Sequence, residues 1–137
     1  MKFIRSLGLM SGTSMDGLDC GLFDIYLTPD YKLEWELIDF ETIPYSKESR
    51  NMLDKHIYSS NENINNIDEY IGKIFLKYVT IFLKGRKIDI IASHGQTIAH
   101  EDGYSSTQIG NPKFMHNEYN VPIIYNFRQA DIDIGGN

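Results

Sequence analysis

The stretch Gly8 to Asp19, GLMSGTSMDGLD, decides how the rest of this chain is read. Residues 2–10 (KFIRSLGLM) alternate loosely and enter a turn holding Ser11, Gly12, Thr13, Ser14, Asp16 and Gly17. Residues 20–27 (CGLFDIYL) read as a second strand, so the turn closes a hairpin. Small hydroxyls and two glycines leave backbone N–H groups accessible and let an anion approach closely. A carboxylate does not favour a phosphate directly, so Asp16 makes sense against a metal, a water or a sugar hydroxyl. The same composition also suits an ordinary turn, because glycine and serine favour turns. Both readings stand on these residues alone.

Two better-known motifs are excluded. The strand-to-helix phosphate loop requires G-x-x-x-x-G-K-[ST], and no lysine follows either glycine here. The string GTSM also surrounds the nucleophile of one serine-protease class, where the serine follows its aspartate and histidine. Here Ser14 precedes all four histidines of the chain.

Outward from the hairpin, Thr28 to Tyr31 form a turn, and residues 32–43 (KLEWELIDFETI) alternate strongly. Leu33, Trp35 and Leu37 fall on one side and Lys32, Glu34 and Glu36 on the other, which predicts a half-buried strand. The N-terminus is therefore expected to be a three-stranded antiparallel meander. Ser46 is a helix N-cap for a helix near 47–58. A second helix is predicted from residues 64–68 to about 84, because Ile67, Ile71, Ile74, Phe75, Tyr78 and Phe82 recur at spacings of three and four. Gly85 ends it. Residues 88–93 (IDIIAS) read as a buried, parallel strand, followed by a loop through residue 112. A short helix near 113–119 and a buried strand over 121–127 complete the inventory. The fold class is α/β with a mixed sheet.

The bulk properties narrow the function. A chain of 137 residues, 42% hydrophobic with nine Tyr and seven Phe, can build one domain or one lobe of something larger. A net charge of -6 without a basic stripe argues against nucleic-acid binding. The lone cysteine, Cys20, permits no internal disulfide and suits a reducing compartment. No apolar run approaches the roughly 18 residues of a membrane span, so no membrane partner is expected and the cytoplasm is the expected compartment.

Two further clusters carry chemistry. Ser93-His94-Gly95-Gln96-Thr97 follows a predicted buried strand, where ligand sites of α/β sheets form. His94 and Gln96 could hydrogen-bond a sugar hydroxyl or a carboxylate; a satisfied strand-end histidine is the plain alternative. Phe127-Arg128-Gln129-Ala130-Asp131-Ile132 follows the last predicted strand. Arg128 suits a carboxylate ligand through paired N–H donors, or it simply pairs with Asp131.

Taken in order, GLMSGTSMDGLD, SHGQT, TQIG and FRQADI followed by a glycine pair resemble the anhydro-N-acetylmuramic acid kinase family. The similarity runs over residues 3–137, with 28–87 matched only by pattern. It implies a ribonuclease-H-like half-domain of the actin-like ATPase type, and an activity that uses ATP, Mg²⁺ and a water. The anhydro amino sugar, 1,6-anhydro-N-acetylmuramic acid, is opened and phosphorylated on O6 in cell-wall recycling. By the resemblance, Gly12, Thr13, Ser14, Met15, Asp16, Gly17, Leu18 and Asp19 line the ATP phosphates. Ser14 and Asp16 also lie near the reacting sugar oxygen, and Asp16 is the candidate to reach the metal through water. His94, Gln96, Arg128 and Asp131 border the sugar, with Arg128 directed at the lactyl carboxylate. Asn126 stands where the family usually has aspartate, and the chain stops at Gly135-Gly136-Asn137, inside the family's glycine-rich segment. The resemblance places the catalytic base and adenosine-binding loops beyond residue 137, so residues 1–137 are expected to be an N-terminal lobe, inactive alone, with the C-terminal lobe absent. Two other readings stay open: a non-catalytic sugar- or phosphate-binding module, and an interaction protein that forms a homodimer over an apolar patch.

Overall fold

A computed structural model describes residues 2–11, 16–56, 61–99 and 106–125, with side chains described at all of these except 56, 61–63, 99 and 106–107. Its elements run β1 (Phe3–Ser11), β2 (Gly17–Leu27), β3 (Leu33–Pro44), α1 (Lys47–His56), α2 (Asn61–Leu83), β4 (Ile90–Ala99), β5 (Ser106–Ile109), α3 (Lys113–Tyr119) and β6 (Ile123–Tyr125).

The first three strands form the expected antiparallel meander. β1 pairs with β2 from Phe3↔Tyr26 to Met10↔Asp19, and β2 with β3 from Gly17↔Pro44 to Leu27↔Leu33. β1 then takes β4 as a parallel neighbour on its other side, through Ser6↔Ile90 to Leu9↔Ser93. On the far edge of β4, β6 pairs in parallel with its first half (Ile91↔Ile123) and β5 antiparallel with its second (Gln96↔Ile109). The mixed six-stranded sheet thus runs β3-β2-β1-β4, with β6 and β5 sharing the last edge. This arrangement is consistent with the ribonuclease-H-like, actin-like half-domain.

One face of the sheet carries the core. Leu7 and Leu9 of β1 and Leu18, Cys20 and Leu22 of β2 are buried with Leu53 of α1 and Ile67, Ile71, Phe75, Val79 and Phe82 of α2. The predicted helical stripe is therefore the packed face, because residues three and four apart stack on one side of a helix. The caps follow the sequence as well. Ser46 Oγ accepts from the Ser49 N–H at 3.1 Å, opening α1. α2 closes through Lys84 and Gly85 in the left-handed region, with the Arg86 N–H on the Leu83 carbonyl at 2.9 Å.

Three expectations need correction. First, Leu33, Trp35 and Leu37 are not half-buried: they are 73%, 68% and 48% exposed. Directly opposed residues of neighbouring strands share a face, so the register places these side chains with Ile25 and Ile4, opposite the helices. The alternation was real, but no described element covers that face. Second, much of the predicted loop after residue 93 is strand: β4 continues to Ala99, and β5 pairs antiparallel with it. Third, β6 begins at Ile123, two residues later than predicted, and Ile124 and Tyr125 are 49% and 57% exposed rather than buried; residues 126–127 lie outside the described residues.

Candidate functional site

β1, β4 and β6 are parallel, with Leu9, Ser93 and Tyr125 side by side. Their C-terminal ends therefore emerge at one edge of the sheet. β1 ends there at Ser11, His94 and Gln96 lie at that level of β4, and Tyr125, the last described residue of β6, lies there too. This is the edge at which open α/β sheets bind ligands. Gly12, Thr13, Ser14, Met15, Arg128 and Asp131 lie outside the described residues.

The flanks of the turn are fixed by a buried polar cluster. Ser11 is 1% exposed, Tyr45 3% and Gln96 0%. Ser11 Oγ donates to the Gly17 carbonyl at 2.7 Å and lies 3.0 Å from Tyr45 Oη. It also contacts Gln96 Oε1. Tyr45 Oη donates to the same Oε1 at 3.0 Å, and Gln96 Nε2 donates to the Thr97 carbonyl at 2.9 Å. With one proton each, the two hydroxyls satisfy the Gly17 carbonyl and Gln96 Oε1, and their oxygens lie close enough to exchange partners. The Tyr45 N–H adds a bond to the Asp16 carbonyl at 2.9 Å. Burial pushes the Tyr45 phenol well above its usual range, so it remains a neutral donor.

Gln96 reaches this cluster because of the glycine before it. Strand alternation from the buried Ser93 would put residue 96 on the opposite face. The β1–β4 register slips between Leu9↔Ser93 and Ser11↔Gln96, which gives β4 one extra residue. Gly95 takes φ +83, and a Cβ there would lie 2.8 Å from the Ile109 carbonyl oxygen. Only glycine fits that backbone without strain.

The other sequence candidates are placed as follows. The Asp16 side chain is exposed at the exit of the turn. Leu18 is fully buried in the core, and Asp19 is half-buried, accepting from Thr42 Oγ1 at 2.5 Å. His94 is half-buried beside the bulge. The TQIG segment docks on α2, where Asp68 Oδ1 accepts from the Gly110 N–H at 2.8 Å and the Asp68 carbonyl from the Asn111 N–H at 3.0 Å. Sequence reasoning missed Tyr45: a tyrosine after the Pro44 that ends β3 carries no local signal, and only the fold brings it to Ser11.

No three His, Cys, Asp or Glu side chains among the described residues cluster as a metal site. Asp16 alone offers an exposed carboxylate beside the turn. Such a donor set fits magnesium, which keeps several waters and takes one or two carboxylates with the phosphates it bridges.

Comparison with known proteins agrees with this geometry. The family model described as anhydro-N-acetylmuramic acid kinase matches residues 4–137. An anhydro-N-acetylmuramic acid kinase of Bacillus cereus (strain B4264) is 35% identical over 94% of this chain and 36% of its own length. One of Bacillus thuringiensis (strain Al Hakam) is 34% identical over 99% of this chain and 39% of its own length. The chain thus spans well under half the length of the curated relatives it matches. On a family match that spans nearly the whole chain, the chain belongs to the anhydro-N-acetylmuramic acid kinase family.

Proposed function

We propose that this chain is the N-terminal, phosphate-binding lobe of an ATP-dependent kinase acting on 1,6-anhydro-N-acetylmuramic acid. The observation that supports the reading is the alignment of Ser11 of β1, Ser93 to Gln96 of β4 and Tyr125 of β6 at one end of the parallel strands, in a chain whose family match spans residues 4–137.

In this reading Gly12 to Asp19 present backbone N–H groups and hydroxyls to the ATP phosphates. Asp16 would hold Mg²⁺ through a water and would stand near the sugar oxygen with Ser14. His94, Arg128 and Asp131 border the sugar, with Gln96 behind them and Arg128 facing the lactyl carboxylate. Magnesium and ATP supply the transferable phosphoryl group and the counter-charge for its equatorial oxygens. The chain's own contribution is positioning: it holds the donor phosphates and sugar O6 in line, as phosphoryl transfer requires. Water adds to the anomeric carbon and gives up a proton to a general base as the anhydro bond to O6 breaks, O6 takes the γ-phosphoryl group, and ADP leaves. The product is N-acetylmuramic acid 6-phosphate.

Calorimetry on the chain tests this. The expected result is magnesium-dependent ATP binding, weakened in Asp16→Asn, together with binding of the anhydro sugar. The absence of heat with both ligands would overturn the proposal.

A further inference from the structure

We propose that Tyr45 is a positioning residue that holds the two flanks of the β1–β2 turn, Ser11 and Asp16, at a fixed spacing from each other and from Gln96 of β4. The inference deepens the reading of that turn given above and rests on it.

Tyr45, from outside the turn and β4, touches all three parts. Its N–H holds the Asp16 carbonyl at 2.9 Å, after the turn. Its hydroxyl meets Ser11 Oγ at 3.0 Å, before the turn, and Gln96 Oε1 at 3.0 Å, at the end of β4. Ser11 Oγ closes the circuit on the Gly17 carbonyl at 2.7 Å. A change at the phenol oxygen therefore reaches the entry to the turn, its exit and the neighbouring strand together.

The ring is itself immobilised. Tyr45 stacks on Tyr78 of α2, with centroids 6.1 Å apart and planes inclined by 29°. The Tyr78 hydroxyl donates to the Pro44 carbonyl at 3.2 Å and accepts from the Ser46 N–H at 3.3 Å. The backbone on both sides of Tyr45 is thereby tied to a packed helix. A hydroxyl held this way fixes distances in advance, which is how second contacts support a binding site.

Tyr119 provides the control. It is half-buried in α3, and its hydroxyl meets Thr80 Oγ1 of α2 at 2.9 Å, away from the Tyr45 cluster. Tyr45→Phe and Tyr119→Phe each delete one hydrogen-bonded tyrosine hydroxyl. Two measurements on the chain separate their effects: hydrogen exchange at the Asp16, Gly17 and Gln96 amides without ligand, and affinity for magnesium ATP by calorimetry.

Tyr45→Phe should accelerate exchange at these amides and weaken ATP binding by about tenfold, while Tyr119→Phe changes neither. Equal effects of the two variants would make Tyr45 merely structural and overturn the proposal. Unchanged exchange in Tyr45→Phe, or faster exchange with unchanged ATP affinity, would overturn it too. If the unsubstituted chain binds no ATP, the kinase reading fails, and the exchange comparison still decides whether Tyr45 holds the turn.

Discussion

Replacing Gly95 by alanine tests the bulge that turns Gln96 inward, and Gly85 supplies a matched reference. Both glycines have φ near +80°, at +83 and +82. An L-residue in that region costs about 1–2 kcal/mol. At Gly85 a Cβ meets nothing within 4 Å, so the backbone cost stands almost alone. At Gly95 the Cβ would lie 2.8 Å from the Ile109 carbonyl oxygen and 3.2 Å from Gln108 Cβ. The first neighbour is backbone in the β4–β5 ladder, so relief requires moving a strand, at about 1–3 kcal/mol more. The lost freedom of the unfolded glycine returns about 0.4–1 kcal/mol in both variants and cancels in the comparison. Gly95→Ala should therefore be less stable than Gly85→Ala by about 1–3 kcal/mol. Urea unfolding followed by circular dichroism reads the difference. With a slope of roughly 1–3 kcal/mol/M, the midpoint of Gly95→Ala should lie about 1 M below that of Gly85→Ala. Agreement of the two variants within about 0.5 kcal/mol would refute the steric argument at the bulge.

Three other outcomes follow from single contacts. The Arg5 guanidinium donates to both carboxylate oxygens of Asp24, at 2.8 and 2.9 Å, and these hydrogen bonds hold the carboxyl below its usual range despite burial. Asp24→Asn should cost about 1–3 kcal/mol at neutral pH. Because the folded value is depressed, the wild-type advantage is complete above about pH 4 and shrinks as pH falls through the folded value; a gap constant down to pH 2 in urea titrations would contradict the pairing. The Cys20 thiol is fully buried and pushed up to about 12 by desolvation, then by Glu41 and Asp19, so Ellman's reagent should label it only after denaturant is added. Trp35, the only tryptophan, should emit near the wavelength of indole in water and be readily quenched by acrylamide at low protein concentration, since it is 68% exposed; a blue-shifted, protected emission would show that its face is covered.

Much of this structure could be read along the chain where the signal is local. The Ile67, Ile71, Phe75, Tyr78 and Phe82 spacing gave α2 its buried side, Ser46 its neighbour's cap, and Gly85 its end. The hairpin around the glycine-serine turn was legible for the same reason. What escaped depends on partners distant in sequence. Alternation in β3 identifies an apolar side but cannot say which face of the sheet the helices take. The second half of β4 reads as loop because Gly95 breaks the two-residue period at the point where the strand continues. Tyr45 meets Ser11 across 34 residues and Gln96 across 51, so no periodicity links them.

The place of β1 in the sheet has a kinetic consequence. Its antiparallel partner follows at once, but its parallel partner is far along the chain: the Arg5 N–H bonds to the Asp89 carboxylate across 84 residues. The meander and its turn can pair from local contacts as soon as residues 3–44 are made. The strand carrying His94 and Gln96 must then dock against an edge already formed, after α1 and α2 have been synthesised. Closing so long a loop is slow relative to hairpin formation. Until β4 arrives, β1 presents an open strand edge, which is the interval in which a nascent chain is most exposed to pairing with a neighbour.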